Sequence, residues 1–223
     1  MSLAATLPAT ARAVIEARGL RHRYRPQRGL EAVSFSAASP GVVAVVGANG
    51  SGKSTLLRIV AGLLRPSEGE LRVEVDGRAI PGAARRPVVG FAAPDLEFYD
   101  ELSCAENLAF AAEARGLPSP RAAALAALAR AELAGRADDR VAALSSGMKQ
   151  RLRLAFALLH RPAILLLDEP GSHLDDAGRE LLARIVAEES AHALVLIATN
   201  EEKEGRLAGE RIELRGRGLG HPA

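Results

Sequence analysis

Cysteine is nearly absent from this 223-residue chain: Cys104 stands alone. An internal disulfide and a thiolate metal cluster are therefore both excluded, and a reducing cytoplasm is the compartment such a chain suits. Charge of one sign is missing too, since 29 Lys and Arg face 27 Asp and Glu and leave a net charge of +2. So small a field gives no reason to expect a nucleic-acid partner. Long apolar runs are absent; they last about five residues, against roughly twenty needed to cross a bilayer. The opening "MSLAATLPATARAVIEARG" has neither a basic start nor a continuous apolar stretch, so no secretory signal and no direct membrane insertion are expected. Internal repeats are lacking as well. What remains, 48% apolar and 25% charged residues, is the balance of a globular domain long enough for a substantial core.

Three short apolar runs, Val42–Val46, Ala163–Leu167 and Ala193–Ala198, read as strands buried on both faces, and hence as a parallel sheet covered by helices. Polar or glycine residues follow each run, where an open α/β sheet presents its ligand edge. The stretches "AVIEARGLRHRYR", "LEAVSFSA" and "LRVEVDG" alternate as half-buried antiparallel strands do. Between roughly Asp100 and Arg161 the pattern turns helical, in "SCAENLAFAAEARG", "RAAALAALARAELAG" and "SSGMKQRLRLAFALLH". The expected fold class is α/β: a mainly parallel sheet, an N-terminal antiparallel β subdomain, and an all-helical lobe (100–161) inserted within one domain spanning 1–223. In the Ala-rich second helix, Leu125 and Leu128 are expected on one packed face.

The stretch "GANGSGKST", Gly47–Thr55, fits G-x-x-x-x-G-K-[ST] between an expected strand and an expected helix. Gly47, Asn49, Gly50, Ser51 and Gly52 form a loop whose backbone N–H groups can turn inward around phosphate oxygens, at a helix N-terminus carrying partial positive charge. Lys53 can reach the β- and γ-phosphates, the Ser54 hydroxyl can ligate Mg²⁺, and Thr55 offers a second phosphate donor. A glycine-rich turn that merely contains Lys is the competing reading, and the strand and helix flanks argue against it. Farther on, Asp168 ends a buried strand and suits the Mg²⁺ shell, while Glu169 suits the general base that polarises an attacking water.

With these motifs in this order the chain resembles the ATP-binding cassette (ABC) family, the nucleotide-binding subunits of membrane transporters, from about Ile15 to Asn200. The most specific likeness is "LSSGMKQR", Leu144–Arg151, close to the family signature LSGGQ. Ser145, Ser146 and Gly147 open a helix whose Met148, Leu152, Ala155 and Leu159 share a face; its N-terminus reads as a second anion-binding end, with a plain capped helix as the competing reading were the signature to stand alone. The resemblance implies that this end binds the γ-phosphate of ATP held by a partner subunit, in a head-to-tail homodimer or heterodimer with a second ABC ATPase. It also implies adenine stacking on Tyr24 and an interface-crossing loop, "GSHLD", ending in Asp175. Along the first strand, His22 and Tyr24 are expected on one face and Arg21, Arg23 and Arg25 on the other. The five histidines show no metal-ligand spacing.

Two positions depart from the family pattern. Pro94 stands where a glutamine usually touches Mg²⁺ and the water, with Asp95 a conceivable substitute, and Asn200 stands where the last core strand usually ends in Thr-His. An amide keeps hydrogen bonds to the γ-phosphate but cannot become cationic or shuttle a proton. The resemblance therefore implies an ATP-binding and hydrolysing subunit, with ATP and Mg²⁺ as cofactors and with slow intrinsic turnover. Such a subunit drives a separate membrane-spanning subunit from the cytoplasmic face of the membrane, with contact expected around Pro94–Asn107. The short form looks most like the small subunits of bacterial exporters. The alternative is a cassette ATPase working as a nucleotide-gated mechanical or regulatory switch outside transport.

Overall fold

A computed structural model describes residues 11–24 and 28–215, and Arg25 and His221 lie outside them. Two sheets form. The first takes strands β1 (Ala13–Tyr24), β2 (Arg28–Ala38), β4 (Glu68–Val75) and β5 (Arg78–Ala79) in the order β2-β1-β4-β5, every pair antiparallel. The second takes β3 (Gly41–Val46), β6 (Val89–Ala92), β7 (Ile164–Asp168), β8 (Leu194–Thr199) and β9 (Glu210–Glu213) in the order β6-β7-β8-β3-β9, all parallel. Every residue of β7 and β8 is buried. That is why these two segments read as unbroken apolar runs rather than alternating ones. Strand register decides where the functional edge falls: Val46 pairs with Thr199 and Asp168 with Ala198. The residues that follow β3, β7 and β8 therefore leave the sheet side by side.

Helix α1 (Lys53–Val60) follows β3 and buries Leu56, Leu57, Ile59 and Val60. Its last carbonyls are capped from a distance: the buried Arg85 guanidinium donates to Ile59 O at 3.1 Å and Val60 O at 3.2 Å, and through Nε to Ile80 O. Leu57 O, Arg58 O and Ile59 O also accept from backbone N–H groups of the turn that follows, and Arg85 adds a tie between this helix end and the strand region before β6.

Helices α2 (Cys104–Ala114), α3 (Pro120–Arg130) and α4 (Ser146–Leu158) occupy the chain between β6 and β7. Their shared core is largely alanine with Leu108, Leu128, Leu133 and Leu152; small side chains let the helices approach closely. Met148, Leu152, Ala155 and Leu159 all join it, as their spacing predicts. Cys104 is fully buried in the same core, where burial pushes its thiol pKa up. Ser103 starts α2 with a complete capping box, its hydroxyl accepting from Glu106 N while the Glu106 carboxylate accepts from Ser103 N.

Two expectations for α3 need correction. Leu128 is buried but Leu125 is 41% exposed; Ala124 and Ala127 fill the buried face instead, because a shallow Ala surface is what packs against α2. The helix also stops at Arg130, short of Gly135. Glu132 adopts the left-handed conformation (φ 55°) and Leu133 N bonds back to Leu128 O, a backbone-satisfied C-terminal turn without glycine at its left-handed position. Beyond the lobe, α5 (Asp176–Ser190) and the short α6 (Glu202–Gly205) complete the helices.

Candidate functional site

Between β3 and α1 the loop needs glycine for two reasons. Gly50 and Gly52 take φ of 79° and 102°, a region L side chains avoid. Space is the second reason: a Cβ on Gly52 would stand 2.9 Å from both Gly29 O and Leu30 Cα. Ser51 N donates to Ala48 O and Leu56 N to Gly52 O, so the loop runs directly into the helix. The Ser51 hydroxyl oxygen is buried without a partner.

Lys53 is only 6% exposed, and its ammonium curls back over the loop. Its Nζ donates to Gly47 O at 3.0 Å and to Asn200 Oδ1 at 2.6 Å, and it stands 3.5 Å from Glu169 Oε1. Asn200 Nδ2 in turn donates to Asn49 Oδ1. The end of β8, the loop after β3 and the residue after β7 are thus joined through one cation. A cleft of about 550 Å³ opens beside them, lined by Gly47, Asn49, Thr199, Asn200, Glu201 and Arg211 among others.

Asp168, 2% exposed, accepts from the Ser54 hydroxyl, while its Oδ1 has no partner. Burial pushes its pKa up, the Ser54 bond opposes that, and the adjacent Glu169 carboxylate adds to it. The Arg58 guanidinium lowers it only as a lesser influence. An orphaned buried carboxylate oxygen beside a serine hydroxyl is an all-oxygen donor set that fits a hard divalent cation such as Mg²⁺. Glu169 itself takes a left-handed backbone (φ 47°), held by its N–H bond to Ala198 O. A non-glycine residue in that conformation persists only where its surroundings hold it.

Thr55 is buried in α1. Ser145 caps α4 with its side chain, accepting from Met148 N at 3.2 Å. Among the described residues no hydrogen bond or ion pair joins Ser145, Ser146 or Gly147 to the Lys53 cluster, so one copy of the chain does not bring together the two ends expected to bind anions. Tyr24 is 37% exposed and packs edge-on against His22, centroids 4.5 Å apart, on the face their alternation predicts. Arg21 pairs with Glu31 and Glu68, and Arg23 with Glu68. Asp175 caps α5 by accepting from Gly178 N, which holds its pKa down, with Arg151 assisting. Pro94 is exposed, and Asp95 is bound to Arg58 of α1 at 2.8 Å.

Several contributors escaped sequence reasoning. Gln150 donates to Pro170 O, tying the signature helix to the loop after Glu169. Glu204 is buried beside Thr199 and Gly171; in the sequence it is one acid of a run, with nothing to mark it.

Residues 30–172 match the family model described as ABC transporter. The chain belongs to that family. It is 37% identical over 183 residues to the lipoprotein-releasing system ATP-binding protein LolD of Nitratidesulfovibrio vulgaris, covering 78% of each chain. It is also 37% identical to the aliphatic sulfonates import ATP-binding protein SsuB 2 of Burkholderia lata, over 93% of this chain and 74% of that one. Among solved structures it resembles a dimeric ATP-binding cassette in a post-hydrolysis state with ADP and Pi bound, with TM-score 0.77 and 25% identity over 90% of this chain and 94% of the other. This ABC transporter chain is accordingly an ATP-binding and ATP-hydrolysing subunit with the α/β cassette fold.

Proposed function

We propose that the Lys53 cluster is the place where this ABC transporter subunit binds MgATP and hydrolyses its γ-phosphate bond, in a head-to-tail dimer that drives a separate membrane-spanning subunit. The observation that carries the reading is the convergence of Lys53, Asn200, Asp168 and Glu169 at the ends of three adjacent parallel strands. Backbone N–H groups of Gly47–Gly52 wrap the phosphates, and Lys53 exchanges its contacts to Asn200 and Glu169 for phosphate oxygens. Thr55 adds a donor, and Tyr24 stacks on the base. Ser54 and Asp168 would hold Mg²⁺, which when bound supplies Lewis-acid stabilisation of charge on the phosphates. Glu169 takes the proton of the attacking water, a task for which its raised backbone strain and its place beside the buried Asp168 pre-position it.

Asn200 donates its amide N–H to the γ-phosphate as a neutral sensor. With Pro94 offering no polar side chain and Asp95 engaged by Arg58, the isolated subunit turns over slowly. Ser145, Ser146 and Gly147 of a second cassette close the site, since a helix N-terminus capped by serine is suited to an anion. Tyr99 and Phe110, 56% and 55% exposed and packed edge to face at 5.9 Å, offer an apolar surface for the membrane subunit at the inner face of the membrane. Asn107, at the end of the segment expected to make that contact, is buried and takes no part.

The test is MgATP turnover of the wild type, Glu169→Gln and Asn200→His at a concentration that permits dimers. Turnover abolished in Glu169→Gln and raised several-fold in Asn200→His is expected; undiminished turnover in Glu169→Gln would overturn the assignment of the base.

A further inference from the structure

Glu204 is 5% exposed, an unusual position for a carboxylate, and no cation is paired with it among the described residues. Its contacts run to two segments instead. The Thr199 hydroxyl donates to it on one side and the Gly171 backbone N–H on the other. Thr199 is itself fully buried, and its Oγ1 accepts from Glu201 N at 2.9 Å. On the other side the fit is tight: a Cβ on Gly171 would overlap Glu204 Oε1. Oε2 is buried without a partner. Burial pushes the group's pKa up, against its hydrogen bonds, and the carboxylates of Glu201 and Glu169 add to it.

The segments so joined are the two that carry the chemistry. Thr199 and Glu201 flank Asn200, which holds Lys53; Gly171 lies two residues after Glu169, whose carbonyl accepts from Ser172 N at 3.2 Å. We propose that Glu204 is a positioning residue that clamps the loop after β7 to the end of β8, and so sets the placement of Glu169 relative to Asn200 and Lys53. The proposal rests on the assignment of Glu169 and Asn200 above. A buried acid costs stability when its bonds are imperfect; here its hydrogen-bonding reach spans the two loops that Lys53 also joins, through Thr199 and Gly171 rather than Asn200 and Glu169, and small misplacements of catalytic groups carry large rate penalties.

Glu204→Met keeps the length and bulk and removes the hydrogen bonds, whereas Glu204→Gln can still accept from Gly171 and donate to Thr199 Oγ1. Two readouts are taken on the full chain: amide hydrogen exchange at Gly171, and MgATP turnover with kcat and KM separated. For Glu204→Met, exchange at Gly171 should accelerate about tenfold or more, and kcat should fall about tenfold with KM within about twofold. Glu204→Gln should stay within about threefold of wild type in both. Wild-type exchange at Gly171 in Glu204→Met overturns the proposal, as does loss of kcat and ATP affinity in equal measure. Should Glu204→Met fail to fold, Thr199→Val decides: it removes one end of the clamp and must lower kcat without raising KM, or the proposal falls. Glu169→Gln is the control for the underlying assignment. Turnover retained there would discredit the base, while the exchange measurement at Gly171 would still report on the clamp.

Discussion

Asn107 in the helical lobe and Asn200 at the edge of the parallel sheet show how differently two regions of the molecule use the same side chain. Asn107 is 5% exposed and spends its amide on backbone: Tyr99 N donates to Oδ1, and Nδ2 donates to the carbonyls of Tyr99, Leu102 and Ser103. Asn200 is exposed and bonds only to side chains among the described residues, Lys53 and Asn49. The first arrangement adds to the backbone bonds that already hold the loop, Leu102 N to Tyr99 O and Val141 N to Leu102 O among them, and rigidifies it. The second holds a cation that an incoming anion can take over. At the sheet edge polar atoms are also left waiting, as with Asp168 Oδ1 and Ser51 Oγ, a pattern that costs folding energy and makes sense where a ligand completes it.

The comparison can be broken most severely at the proposed base. Glu169→Gln should cut MgATP turnover by about 10²–10⁴-fold while leaving the denaturant midpoint nearly unchanged; turnover and urea unfolding of the same preparation check both. Next comes the paired substitution of the asparagines. Asn107→Ala should lower unfolding free energy by about 1–3 kcal/mol, because Tyr99 N loses its acceptor and the carbonyls of Tyr99, Leu102 and Ser103 each lose one of their donors. Asn200→Ala should cost less than about 1 kcal/mol yet change ATP affinity, and a large stability loss there would erase the distinction drawn above.

A smaller effect tests the lobe's junction with the sheet. Burial and the neighbouring Arg115 guanidinium hold the His160 pKa down, from 6.5 to about 4. Above pH 6.5 the ring is neutral folded and unfolded, so it contributes nothing to pH dependence. As pH falls from 6.5 toward 4 the unfolded chain takes up the proton first, and stability should drop by at most about 3 kcal/mol. Unfolding free energies measured between pH 7 and pH 4 should lose this component in His160→Gln. Smallest is the cap of α2: Ser103→Ala should cost about 1 kcal/mol, read as a lowered thermal midpoint with turnover unaltered.

Much of the architecture was legible because it rests on local pattern. The buried strands β3, β7 and β8 show as unbroken apolar runs, and the capping residues Ser103 and Ser145 precede their helices. Other elements hid for identifiable reasons. β6 is four residues long, and β9, "ERIE", buries only Ile212; both become strands by pairing with neighbours already in the sheet, which no local signal announces. The early stop of α3 depends on Glu132 accepting a left-handed backbone, a choice that propensity would have given to glycine.

By itself the sequence determined the glycine-rich loop before α1, the adjacent acids Asp168 and Glu169, the serine-capped start of α4 and the departures at Pro94 and Asn200, because each is a matter of residue type at short spacing. Tertiary structure alone decided which groups meet. Asn200 reaches Lys53 across 147 positions, Asp95 is taken by Arg58, and Glu204 lies between Thr199 and Gly171. Those contacts follow from parallel register and the packing of α6, where side chains distant in the chain are forced together and their remaining hydrogen bonds are settled by whoever is within 3 Å.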